Sequence, residues 1–296
     1  MGAFFFSLTA AAVKWLPATV GVEVKVLFRA CVAMIVTGAV IWRKKESIVP
    51  HNKKILALRS VLGATAMFGF FTAVTGMPLS EAITLSHLSP FFVALLAALF
   101  LKERLYRAQI VAVLLAFVGA VLVVRPGMIP FTGYAVLAVS TAVLAGGAHV
   151  SLRALRKTDS PQVIVFWFST LLCLVALPIV LVRATLPTWV EVAVLVGLGL
   201  GGTLGQLCMT AAYRHAPGGE VAIYNYLGVA FSMLWQISFW GDPLNPLAVA
   251  GALLIVGGAY LNLRAGRKRA GRKRAGRKRM GRRSVPASEK DGAYGH

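Results

Sequence analysis

Acidic residues are scarce: ten Asp and Glu in 296 residues, against 31 Lys and Arg. Only 14% of the chain is charged and 58% is hydrophobic, far from the balance of soluble domains. The scarcity excludes several chemistries. There is no His-Glu-x-x-His, no paired-histidine motif and no Asp/Glu dyad within one loop, so an integral-membrane enzyme such as a lipid-modifying transferase lacks the clustered residues it would need. No glycine-rich phosphate loop follows a strand and no ATPase signature is present, so no nucleotide, metal or other cofactor is expected. Cys31, Cys173 and Cys208 fall inside apolar runs without metal-ligand spacing and read as buried, inert thiols. The first residues lack the basic region of a cleavable signal peptide, and Phe6 occupies the position that myristoylation reserves for Ser or Thr. The first apolar run reaches Lys14 quickly, so an opening helix with a few more residues is expected.

What is abundant is apolar sequence in runs long enough to cross roughly 30 Å of hydrocarbon. Ten spans are predicted, at about 2–18, 23–42, 56–76, 79–101, 108–124, 131–152, 162–183, 188–212, 218–240 and 246–263. All are expected to be helices, because the alternation of a barrel strand is absent and 91–101 is apolar on every side. Arg43, Lys44, Lys45, Lys53 and Lys54 share one connection, Lys102, Arg104 and Arg107 another, and Arg153, Arg156 and Lys157 a third. These fall on one side with Arg214 and the C-terminal tail, which puts both termini in the cytoplasm by the positive-inside rule.

The chain also repeats itself. Residues 78–124 return without a gap 139 positions later as 217–263, with Pro78, Glu81, Leu88, Phe92, Leu95, Phe100, Leu105, Leu114, Leu115, Gly119, Ala120 and Leu122 recurring and Glu103 answered by Asp242. Five spans per copy is an odd number, so the second copy enters the membrane upside down, the arrangement by which a central site can be exposed to one side and then the other.

The stretch LRSVLGATAMFGFFTAVTGMPLSEAITLSHLSPFFVALLAALFLKERL, with the helix ending GAVLVVRPG, resembles an EamA-type repeat of the drug/metabolite transporter superfamily. Ser86-His87-Leu88-Ser89-Pro90 and Lys102-Glu103-Arg104 carry the first-repeat pattern. In the second copy Val229 replaces the proline and Gly241-Asp242-Pro243 the charged cluster. The resemblance implies an all-α polytopic membrane protein of ten transmembrane helices in two inverted five-helix repeats, residues 1–128 and 129–263. It also implies secondary transport of small metabolites across the bacterial inner membrane, with efflux as the expected direction. An importer or exchanger of the same fold is the alternative.

Polar residues at mid-span are costly and need a partner or a purpose. Ser86, His87 and Ser89 lie near the middle of the fourth span, where Pro90 cannot donate to the Ser86 carbonyl. Their counterparts are Asn225 and Tyr226, with Tyr224 beside them, so both halves place polar groups at matching depth, as a shared substrate pocket requires. His87 has the alternative of an interhelical hydrogen bond. His149, Gln206, Thr210, Tyr213 and Gln236 are further candidates, with interhelical bonding as the default reading. Glu81 and Glu220 open equivalent helices, where a carboxylate suits the helix dipole; proton coupling or gating is the other reading. Arg29 could line the cavity or pair with Glu23. Trp167 and Trp240 read as packing or interfacial anchors, and Gly197, Gly201 and Gly205 as a close-packing stripe. The tail, 264–296, has 13 Lys and Arg against Glu289 and Asp291. It is expected to be disordered and to rest on anionic lipid headgroups rather than nucleic acid, since no aromatic residues interleave its charges.

Overall fold

The computed structural model describes residues 1–100, 107–124, 133–155, 158–183, 187–215, 218–258, 260, 261 and 264, with their side chains except at 94, 97, 98, 100, 108, 109, 113, 124, 153 and 213–226. Among the described residues there are helices and no strands. The helices are α1 (Gly2–Trp15), α2 (Val22–Lys44), α3 (Lys53–Gly76), α4 (Leu79–Ser86), α5 (Ser89–Phe100), α6 (Arg107–Val124), α7 (Gly133–Leu155), α8 (Pro161–Arg183), α9 (Trp189–His215), α10 (Gly218–Trp240) and α11 (Pro246–Gly258). Among the described residues α2, α3, α7, α8 and α9 are each long and apolar enough to cross a membrane, and every predicted span contains a helix. The fourth is divided into α4 and α5, because Pro90 has no N–H for the Ser86 carbonyl and Phe91 and Phe92 both donate to Leu88 instead.

Local chemistry sets the other ends. Asn52 caps α3, its side chain accepting from the Ile55 N–H at 3.2 Å. α2 stops at Lys45, which adopts left-handed backbone (φ 53°) while Glu46 N–H returns to the Ile41 carbonyl. Large apolar side chains such as Ile35, Phe117, Leu181 and Val182 are exposed, a surface suited to lipid rather than water. Exposed Trp15, Trp42 and Trp189 sit at helix ends, where indole rings belong at the membrane interface.

The helices pack as two copies of one unit. Taking α1, α2, α3, α4–α5 and α6 as equivalent to α7, α8, α9, α10 and α11, the main contacts between the halves have their images: α1 packs on α9 as α7 packs on α3, α2 on α9 as α8 on α3, and α1 on α10 as α7 on α4–α5. Equivalent helices run antiparallel where they meet. Along α2 and α8, Cys31 faces Cys173 while Gly38 faces Phe166. Along α6 and α11, Ala112 lies by Gly258 and Gly119 by Gly251. Along α4 and α10, Ser80 meets Gln236 and His87 meets Gly228. Equivalent helices that cross antiparallel are related by a twofold axis across them, hence in the membrane plane. The fold is therefore two inverted five-helix repeats. One buried apolar cluster runs through both, so neither repeat has a core of its own.

Candidate functional site

The axis marks where a site shared by both repeats must lie. A residue and its equivalent 139 positions on come abreast near Ala33 and Leu172, where α2 crosses α8, and near Leu88 and Leu227, where α4–α5 crosses α10. Both crossings carry polar groups.

At the first is a narrow cleft, with room for about one water, walled by α2, α8 and α9. Its lining includes Arg29, Phe168, Ser169, Thr203 and Gln206 beside Ala33 and Leu172. Phe168 is the repeat equivalent of Arg29, so the axis sets an aromatic ring opposite a cation. Arg29 lies in the space left by Gly202, where a Cβ would collide with its Nε. It does not reach Glu23, and its Nε is buried without an acceptor. Beyond the ring, Arg59 of α3 places its guanidinium 4.6 Å from the Phe168 centroid, folded against Gly63 of its own helix. Arg59 is only 4% exposed, and its Nε and one terminal nitrogen are also without acceptors.

At the second crossing His87 closes α4. Its Nδ1 lies 2.7 Å from the Ile83 carbonyl, and its ring edge is 3.4 Å from where a Cβ on Gly228 would stand. Ser86 turns its hydroxyl onto the Ile83 carbonyl at 2.7 Å. Ser89 opens α5 half-buried, its carbonyl close to Gly146 of α7. His149 is half-buried on α7. The residues singled out from sequence thus fall into two groups along the axis: Arg29 and Gln206 in the cleft, and His87 with Ser86 and Ser89 at the broken span. The side chains of Tyr213, Glu220, Tyr224, Asn225 and Tyr226 lie outside the described residues, as does the tail from residue 265 on.

The lysines inside the bundle are matched. Lys25, fully buried, donates to the Val13 and Leu16 carbonyls at 3.0 and 3.3 Å, capping the C-terminus of α1. Lys14 donates to the Met77 carbonyl beyond α3 at 2.9 Å, lies 5.6 Å from the Trp240 ring, and has Glu81 and Asp242 near it. Gln236 accepts from both the N–H and the hydroxyl of Ser80, the interhelical bonding expected of it. Trp167 donates to the Ile48 carbonyl at 2.8 Å, tying α8 to the α2–α3 connection. Beside it the buried Asp159 accepts from the His51 N–H at 2.8 Å and from Thr158 at 2.7 Å. Burial alone would push the Asp159 carboxyl up, but these donors and the His51 ring outweigh it and hold it below the usual carboxylate range.

Arg59 and Ser169 were not anticipated from sequence. The signal available for Arg59 was a cation inside an apolar span with no acid within a helical turn on either side.

An all-helical membrane fold of inverted repeats with polar groups along its axis defines a membrane transporter rather than an enzyme. The chain belongs to the EamA-like transporter family, which it matches over residues 1–125 and 132–264. It is 34% identical to the Pseudopaline exporter CntI of Pseudomonas aeruginosa, over 86% of this chain and 91% of that protein. It is 29% identical to the human Solute carrier family 35 member G1 (86% and 75% covered) and 28% identical to a Riboflavin transporter of Rhizobium johnstonii (71% and 70%). A solved crystal structure 18% identical in sequence has the same fold, with a TM-score of 0.67 over 90% of this chain and 94% of that one. Transport of small metabolites across a membrane is the activity these findings support.

Proposed function

We propose that this chain is a secondary transporter that exports small organic metabolites by alternating access between its two repeats. The observation that carries the reading is the broken fourth span. An interruption at membrane depth is stable only where it is buried in protein or lines a cavity, and this one sits where α4–α5 crosses its own equivalent, α10. A solute held there would touch both repeats at once, which is the condition for rocking one against the other around it.

In this reading Ser86, His87 and Ser89 of the first repeat and Tyr224, Asn225 and Tyr226 of the second form the solute site, with Gln206, Tyr213 and His149 around it. Glu81, Glu220 and Arg29 serve coupling or gating. Residues 1–128 and 129–263 are the moving units, both termini are cytoplasmic, and the basic tail lies on anionic headgroups of a bacterial inner membrane. Efflux is the direction supported by the exporter among the relatives.

The test is counterflow in proteoliposomes. Preloaded unlabelled solute accelerates uptake of labelled solute through a carrier and not through a channel. His87→Ala and Gly228→Leu should abolish that acceleration while the protein stays folded. A reconstituted protein that moves no solute under any gradient would refute the proposal.

A further inference from the structure

Two cations lie inside the helix bundle, Arg59 buried and Arg29 half-buried, with no acid among the described residues beside them. Arg29 enters from a point seven residues into α2, and Arg59 from a point six residues into α3. Consecutive helices start at opposite membrane faces, so the two side chains converge on the middle from opposite sides. They repel one another there. Each rests on an aromatic ring, Arg29 over Phe71 at 5.9 Å and Arg59 over Phe168 at 4.6 Å. Each occupies space that only a glycine leaves open, Gly202 and Gly63.

The scarcity of acids makes the mismatch sharper. Six of the ten Asp and Glu have described side chains, and all six are engaged elsewhere. Glu23 lies by Lys25, Glu81 and Asp242 by Lys14, Glu46 by Lys44 and Ser160, Asp159 by His51, and Glu191 by the Thr188 N–H. The buried lysines are capped by helix carbonyls, whereas among the described residues Arg29 Nε and the Arg59 Nε and one terminal nitrogen have no acceptor. A buried charge held without a partner is costly, and it persists where something else supplies the counter-charge. On the cleft wall the Ser169 hydroxyl and the Gln206 amide likewise make no hydrogen bond to a described residue, and both can donate.

From this arrangement we propose that the cleft between α2, α8 and α9, as its walls part in the transport cycle, takes the oxyanion group, carboxylate or phosphate, of the transported solute. Arg29 pairs with it directly, Ser169 and Gln206 complete its hydrogen bonds, and Arg59 acts as a second positive charge behind Phe168. The guanidinium fork matches both kinds of oxyanion, which an ammonium does not. The inference rests on the transporter reading for the solute's passage, but the binding site itself can be tested without transport.

The experiment uses the full-length protein in nanodiscs with paired probes, glutarate against glutaramide and glycerol 3-phosphate against glycerol, read by thermal protection. Charged members should raise the unfolding midpoint and their neutral partners should not; the better of the two acids identifies the preferred oxyanion. Arg29→Gln should weaken anion binding by about 10–100-fold, the loss of a charged hydrogen bond. Arg59→Gln should weaken it less, and Arg29→Lys should retain part of it. Without anion both glutamine variants should unfold no lower than the wild type, because an unmatched buried charge has been removed. Equal protection by charged and neutral probes, no protection by either acid, or variants that bind anion like the wild type would overturn the proposal. So would glutamine variants that only lose stability. Neutral-solute counterflow that ignores both arginines would sink the anion site and leave the carrier standing. Arginine-dependent anion binding without flux of any solute would do the reverse.

Discussion

Replacing Gln236 with leucine tests the seam between the repeats. Gln236 Oε1 accepts from the Ser80 N–H at 3.0 Å and the Ser80 hydroxyl at 2.7 Å, and both residues are buried. Ser80 is the second residue of α4, so its N–H is among the first four donors that no carbonyl of the helix can satisfy. Pro78, at the N-cap, offers no side-chain acceptor. The amide of α10, in the other repeat, therefore caps α4. Leucine is of similar size but accepts nothing. The hydroxyl can turn to a nearby carbonyl, but the N–H cannot, and an unmatched buried donor costs about 1–3 kcal/mol. Side-chain hydrogen bonds between membrane helices average about 0.6 kcal/mol, which lowers the sum. The expected loss is about 2 kcal/mol, roughly a 30-fold change in the unfolding equilibrium. Ser80→Ala alone should cost about 1 kcal/mol, since it keeps the N–H bond. Reversible unfolding in mixed micelles, followed by circular dichroism, measures both variants and the double mutant. A Gln236→Leu protein within about 0.5 kcal/mol of the wild type, or two substitutions that simply add, would show that the amide does not cap the helix.

Three further outcomes are expected. Asp159 is held below its ordinary pKa, so its clasp on the α2–α3 connection is fully present above about pH 4 and is lost as the pH falls further; Asp159→Asn should remove about 1 kcal/mol at neutral pH and flatten the acid limb of the stability profile. Gly202→Ala puts a methyl where Arg29 Nε lies, so transport kinetics in proteoliposomes should show a several-fold higher KM with maximal flux retained; an unchanged KM would mean that Arg29 does not hold the solute. Cys31 and Cys173, which the sequence pattern reads as buried and inert, are half-buried with their sulfurs 3.7 Å apart across the α2–α8 crossing. Mild oxidation should therefore link the two helices beside the axis and halt flux, and Cys31→Ser should make flux insensitive to the oxidant.

The architecture was legible because it is written in long-range redundancy. Apolar runs of span length are unambiguous, and a repeat at 139 residues with an odd five spans per copy carries the inversion. Pro90 foretold a free Ser86 carbonyl, though not that the span would divide into two helices; that required Phe91 to abandon the His87 carbonyl as well. The site was less legible. Gln236 and Gln206 look alike in sequence, as polar residues inside apolar helices. One ends on Ser80 and the other faces a cleft, a difference set by helix rotation and crossing. Lys25 and Arg59 are also equivalent in pattern, each a cation a few residues into a span. Lys25 reaches the carbonyl end of α1, while Arg59 finds only rings and glycine.

The repeats share a backbone but not their polar ties, and this bears on how such a protein chooses a state. Ser80 and Gln236 bind across one end of the α4–α10 crossing, yet their equivalents are Gly219 and Ala97, which can form no such bond. His51 and Asp159 tie the connections at one membrane face, and their equivalents are Val190 and Val20. Exchange of conformation between the repeats would break these ties without making their images. A symmetric backbone is thereby biased toward one arrangement by the few kcal/mol the ties contribute. A bias of that size leaves the other arrangement as a minor population of roughly 0.1–10%. It is also of the size a bound solute can offset, provided the solute binds the two arrangements unequally. An oxyanion between Arg29 and the Phe168 side meets that condition, because the cleft lies on the axis and any relative motion of α2 and α8 changes the distance from its cationic wall to its aromatic one.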